Sequence, residues 1–206
     1  MRGILVTGFE PFGGDETNPS WDVCKGLGPE VTGVRVETLL VPCEFRRSIE
    51  VVIDAIERLQ PRLVICLGLA GSRALLGVER LAINVDDARI PDNRGARPLD
   101  TPVVAGGPPA YFATLPIKAM AAAMREAGAP TEVSNSAGTF VCNHLMYGVL
   151  HHLATSGSPT RAGFIHVPRS MALATMVQGV RAGISAALAH RRDTRATIGA
   201  AEGALD

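Results

Sequence analysis

The stretch Arg62–Ala70, RLVICLGLA, decides the fold. Its interior, Leu63 to Leu69, carries no charge and does not alternate between polar and apolar residues. A strand with one wet face alternates; a strand covered on both faces does not. The run therefore reads as a central strand of a parallel sheet. The segment before it, EFRRSIEVVIDAIERLQ (44–60), has helical periodicity, with Phe45, Ile49, Val52, Ile53, Ile56 and Leu59 on one face. Pro61 stops that helix. Still further upstream, RGILVTGF and GVRVETLLVP read as strands. Between them lies a Gly/Pro loop and a short helix, with Asn18 and Pro19 suited to its cap and first position.

Downstream the alternation of strand and helix breaks. Residues 70–110 hold glycine-rich turns, one candidate strand, VERLAIN, and the loop ARIPDNRGARPLDTPVVAGGPPA. An irregular stretch of that length is usually functional or mobile. Alternation then resumes. IKAMAAAMREAG is a helix, TEVSNSAG an extended approach, CNHLMYGVLHHLA a helix, RAGFIHVP a strand and MALATMVQGVRAGISAALAHRR a last helix. The pattern predicts one three-layer α/β/α sandwich over residues 1–192, with a mainly parallel, mixed sheet. Residues 193–206 lack apolar payload and are expected to be disordered.

Composition narrows the function. The 206 residues carry 20 Lys+Arg against 20 Asp+Glu, for a formal net charge of zero. A nucleic-acid surface needs clustered cations and stacking aromatics; the basic cluster at 190–192 is short and aromatics are scarce. No run is long enough to span a membrane. The apolar stretch of MRGILVTGFE is too short for a signal segment and lacks a cleavage site. Cys24, Cys43, Cys66 and Cys142 are scattered, with no CxxC, as expected of reduced thiols in a cytoplasmic protein.

Three residues carry possible chemistry. Cys142, in SNSAGTFVCNHLMYG (134–148), falls in the first turn of a helix. Unpaired N–H groups there favour a thiolate and can receive an oxyanion. A small buried thiol is the competing reading, and the better one for the other three cysteines. His166, near the carboxyl end of its strand, shares a face with Phe164 and could be a general base or a core histidine. Glu79, on an alternating strand, shares a face with Leu81 and Ile83. A carboxylate there needs a partner, which could be a histidine or an arginine such as Arg73 or Arg89. His144, His151 and His152 read as structural or surface residues, without zinc spacing.

Four segments together resemble a known family: GFEPFGGDETNPSW, GLAGSRALLGVERLAINVDDARIPDN, SNSAGTFVCNHLMYG and FIHVP. The chain, apart from its tail, is similar to the type I pyroglutamyl peptidases, or pyrrolidone-carboxylate peptidases, which are cysteine peptidases. The resemblance implies hydrolysis of the amide bond after an N-terminal pyroglutamyl residue, without cofactor or metal, often by homotetramers. It implies Cys142 as nucleophile, His166 as general base, Glu79 as the residue orienting the imidazole and Arg89 as support for the oxyanion region. Phe9, Phe12, Asn18, Leu69, Phe140 and Val141 would surround the substrate. Two positions depart from the family pattern. Gly77 stands where Ser or Thr is usual, and Leu69 where many bacterial relatives have Gln. A phosphorylase-like transferase on a similar fold, or a silent binding relative, are the alternatives. The first would need a phosphate site, and GFEPFGG is neither a Walker A nor a GxGxxG motif.

Overall fold

The computed structural model describes residues 2–193 and 201–202. Its elements in chain order are β1 (Ile4–Phe9), α1 (Pro19–Gly26), β2 (Glu30–Val31), β3 (Val34–Val41), α2 (Arg47–Leu59), β4 (Leu63–Leu69), β5 (Leu76–Glu79), β6 (Leu81–Ile83), β7 (Ala110–Phe112), α3 (Ile117–Glu126), β8 (Thr131–Ser134), α4 (Val141–Thr155), β9 (Arg161–Val167) and α5 (Leu173–Ala189). Seven strands form one sheet in the order β2-β3-β1-β4-β9-β5-β8, and β6 and β7 form a separate antiparallel pair. β3, β1, β4 and β9 run parallel. β5 is antiparallel to β9 and parallel to β8. The sheet is mixed, as expected.

Strand parity sorts the core into two layers. On β4, Leu63, Ile65 and Leu67 face one side, where Val23 of α1, Met120 and Met124 of α3, and Val180 and Ile184 of α5 pack. Val64 and Cys66 face the other, against Val52 and Ile56 of α2 and Leu145, Met146 and Val149 of α4. The apolar run around Leu63–Leu69 is thus buried on both faces, which is why it lacks alternation.

One expectation needs correction, and two other segments make contacts that the sequence does not signal. VERLAIN is not one strand. The chain breaks at Arg80, whose N–H donates to Ser134 O at 2.8 Å and whose carbonyl accepts Ala113 N–H at 2.9 Å. β5 stays in the main sheet and β6 leaves to pair with β7, so Glu79 does not share a strand face with Leu81 and Ile83. The stretch 70–110 contains strands and pinned loops: Asp92 accepts N–H groups from Phe45, Arg94 and Ala96, and Asn93 reaches Glu10 Oε1 and Pro11 O. The tail also makes specific contacts where it is described. Asp193 accepts the N–H groups of Lys118 and Ala119 at 3.1 and 3.0 Å, capping α3, and Glu202 makes two hydrogen bonds with Arg125. Residues 194–200 and 203–206 lie outside the described residues.

Candidate active site

His166 belongs to the same strand face as Ala162 and Phe164, the α2/α4 side of the sheet. Its lateral neighbours fix what it meets. On β4 the register partner is Gly68; on β5 it is Gly77. Gly68 has no side chain to fill the space beside the imidazole, and Cys142 Sγ lies 2.7 Å from where its β-carbon would stand. The Phe164 ring closes the same space at 2.6 Å. The register thereby brings the thiol against the strand position beside His166, and the two residues share one hollow. Cys142 arrives there as the second residue of α4, which starts after Phe140 without a side-chain cap. Its first-turn N–H groups are therefore free to receive an oxygen.

Glu79 reaches His166 because β5 runs antiparallel to β9. Two residues beyond Gly77, it falls on the same face as the imidazole, one step down the neighbouring strand. His166 Nδ1 lies 2.7 Å from Glu79 Oε1. The carboxylate is fully buried. Arg73 Nη1 donates to the same oxygen, also at 2.7 Å. Both partners weighed for Glu79, histidine and arginine, are present at once. Held at Nδ1, the imidazole makes no hydrogen bond at Nε2 among the described residues.

His166 and Cys142 line a hollow of about 160 Å³ with Phe9, Phe12, Asn18, Cys43, Leu69, Ala137, Gly138, Thr139 and Phe140. Asn18 also caps α1, accepting from Ser20 N at 3.1 Å, and donates to Glu10 O at 3.0 Å. Two of the implied residues lie elsewhere. Val141 is 1 % exposed and belongs to the core. Arg89 is exposed and does not line the hollow. The sequence reads Cys43 as a core thiol and gives residues 137–139 no role beyond their place in the cysteine segment; both line the hollow. Sequence reading passed over Asn143, whose amide bonds Ile83 N, Ile83 O and Val85 O and anchors the start of α4.

The remaining histidines are committed or peripheral. His144 Nδ1 lies 2.8 Å from Asp86 Oδ2 and its Nε2 accepts Arg46 N–H at 2.8 Å. His151 pairs with the Tyr111 hydroxyl. Larger hollows of about 410 and 510 Å³ lie beside Arg161–Arg191 and Asp86–His144; no thiol lines either. Among the described residues no group of His, Cys, Asp and Glu forms a metal cluster, and no helix is long and apolar enough to cross a membrane.

The electrostatics of Cys142 differ from the expectation of a lowered thiol. Burial raises it well above the ordinary range, with Cys43, Glu79 and Cys66 adding in the same direction and Arg73 opposing them. Cys43 and Cys66 are pushed up to about 12, in each case mainly by burial. What distinguishes Cys142 is its position on the hollow beside a held imidazole, not ease of ionisation.

A family model described as pyroglutamyl peptidase matches residues 2–190. The chain belongs to this family. It is 50% identical over 213 residues to the pyrrolidone-carboxylate peptidase of Klebsiella pneumoniae, covering 97% of this chain and 99% of that protein. It is 56% identical over 169 residues to the pyrrolidone-carboxylate peptidase of Chromobacterium violaceum, covering 82% and 78%. The crystal structure of pyroglutamyl peptidase I from Bacillus amyloliquefaciens superimposes with a TM-score of 0.91 at 38% identity, over 95% of this chain and 99% of that one. Family membership and the α/β sandwich thus agree with the resemblance read from the four segments.

Proposed function

We infer that this chain is a cysteine peptidase that removes pyroglutamate from the N-terminus of peptides, with Cys142, His166 and Glu79 as its triad. The observation that carries the reading is the hollow itself. A half-buried thiol and an imidazole with an uncommitted Nε2 share its wall with three phenylalanines and Leu69. Among the described residues no carboxylate lines it. An α-ammonium group, which an ordinary aminopeptidase must recognise, has no counter-charge there. An uncharged lactam ring needs none and suits an apolar pocket.

The chemistry follows from the positions. Cys142 Sγ attacks the carbonyl carbon of the scissile amide while His166 Nε2 takes the thiol proton. First-turn N–H groups of α4 receive the oxyanion. Collapse breaks the C–N bond, and the Nε2 proton leaves with the amine. His166 then deprotonates a water, which attacks the thioester and releases 5-oxoproline and the thiol. Glu79 accepts the Nδ1–H throughout, fixing the tautomer and balancing the imidazolium. The same reading includes a cytoplasmic homo-oligomer, tetrameric by family resemblance; four unpaired cysteines support the compartment.

The test is alkylation and substitution at one atom. Iodoacetamide should modify Cys142 and abolish turnover, and Cys142→Ser should fold normally but lose at least about 10³-fold in kcat, since serine lacks the thiol nucleophile. Complete alkylation of Cys142 with undiminished activity would contradict the assignment.

A further inference from the structure

His166 is flanked in register by two glycines, Gly68 and Gly77. The first leaves room for the Cys142 thiol. The second leaves room for something else: a β-carbon at Gly77 would collide with the Arg73 guanidinium and stand 3.5 Å from Glu79 Oε1. Arg73 Nη1 shares Glu79 Oε1 with His166, and Nη2 donates to Ser136 O at 2.9 Å. Ser136 lies in the segment leading into Cys142. Glu79 Oε2 is buried with no hydrogen-bond partner among the described residues. The orientation of the carboxylate therefore rests on Oε1 and on the two donors that meet there. Arg73 retains only 26% of its side-chain exposure and Glu79 none, so their pairing is weakly screened.

We propose that Arg73, admitted by the absence of a side chain at Gly77, is a positioning residue of the triad. It fixes the Glu79 carboxylate beside His166, divides its charge and ties it to the loop that carries Cys142. The proposal rests on the triad assignment above. Arg73 acts through Glu79; nothing places it on the substrate.

The consequence is a pH effect with a definite sign. The charged and titratable groups around the reacting pair are Glu79 of β5, Arg73 before β5, and the thiols of Cys43, Cys66 and Cys142. Of the groups acting on the Cys142 thiol, Arg73 alone draws it down. Without that cation the thiol gives up its proton less readily. That moves the rise of activity to higher pH.

The experiment is kcat/KM against pH for a chromogenic pyroglutamyl amide, on the full chain and on folded variants checked by circular dichroism. Arg73→Met should displace the rising limb upward by about one pH unit, a loss of about tenfold at neutral pH, since one unit is a factor of ten. Gly77→Ala should displace it in the same direction, because its methyl pushes the guanidinium aside while Arg73 remains. In the Arg73→Met background Gly77→Ala should change kcat/KM by less than about twofold, as two changes acting through one contact do not add. Arg73→Lys should return the limb towards the parent. A limb that stays in place in both Arg73→Met and Gly77→Ala, or losses that simply multiply, would overturn the positioning role. If Arg73→Met does not fold, Gly77→Ala and Arg73→Lys decide the same question. His166→Ala separates this proposal from the triad reading. Full activity there would overturn both, whereas a loss there beside an unmoved limb in the Arg73 and Gly77 variants overturns the positioning role alone.

Discussion

A thiol made hard to ionise is an unusual starting point for a nucleophile, and it predicts how Cys142 responds to pH. Deprotonation is required for attack, and burial raises the thiol above its ordinary range. The reactive fraction is therefore small at neutral pH and grows as pH rises. The rate of iodoacetamide inactivation should climb through neutral into alkaline pH; a plateau already reached in mild acid would show a standing thiolate instead. The second residue-scale prediction concerns Leu69, which lines the hollow beside Phe9 and Phe12. An apolar side chain cannot bond a polar atom of the lactam. Leu69→Gln should restore one neutral hydrogen bond, worth roughly 0.5–1.5 kcal/mol, and lower KM about 2–10-fold with kcat nearly constant. Steady-state kinetics would show this, and a fall in kcat without a gain in KM would mean that Leu69 serves packing. Cys142, His166 and Glu79 each carry a competing structural reading in the sequence, and only the four-segment resemblance groups them. Arg73 was named only as one possible partner of Glu79. Gly77 stands out in the sequence as a departure from the family pattern, but only the structure shows that the missing side chain makes room for Arg73.

The elements were easier to read than their connections. Helices were placed to within a few residues: α2, strongly amphipathic, runs Arg47–Leu59 where a helix over 44–60 was expected, and α4 runs Val141–Thr155 where 142–154 was expected. β7, three half-exposed or exposed residues, carries no such pattern. The split of β5 from β6 at Arg80 is a tertiary event, decided by Ser134 O and Ala113 N–H, neither adjacent in sequence. The tail contact at Asp193 was missed for the same reason, since a carboxylate in a polar stretch looks solvated until α3 is placed beside it. A prediction at this scale follows from the packing of α4 on β4. A β-carbon on Gly68 would stand 2.6 Å from Phe164 Cζ and 2.7 Å from Cys142 Sγ. Phe164 is buried and cannot yield cheaply. Gly68→Ala should cost about 1–3 kcal/mol by overpacking, measurable by urea denaturation, and should slow alkylation of Cys142. Unchanged stability and unchanged alkylation would show that the start of α4 is not seated on Gly68.

At the scale of the molecule, the mixed sheet is what assembles the site. β1, β4 and β9 run parallel and bring Phe9, Leu69 and His166 to one carboxyl edge. β5 turns back against β9 and carries Glu79 below the imidazole. The parallel part was legible in the apolar run around Leu63–Leu69; the reversal was not, because β5 is four residues long and its pairing is non-local. The resulting hollow is largely apolar and has no acidic residue in its wall among the described residues, and that property is the central claim put in measurable form. The direct test compares kcat/KM for a chromogenic amide of pyroglutamate with that of the matching prolyl amide, which differs by a charged ring nitrogen in place of the lactam. The account predicts rapid release from the pyroglutamyl amide and at least about 10³-fold less from the prolyl amide, the scale on which a desolvated, unpaired charge is rejected. Comparable cleavage of both, or cleavage of the prolyl amide alone, would contradict it.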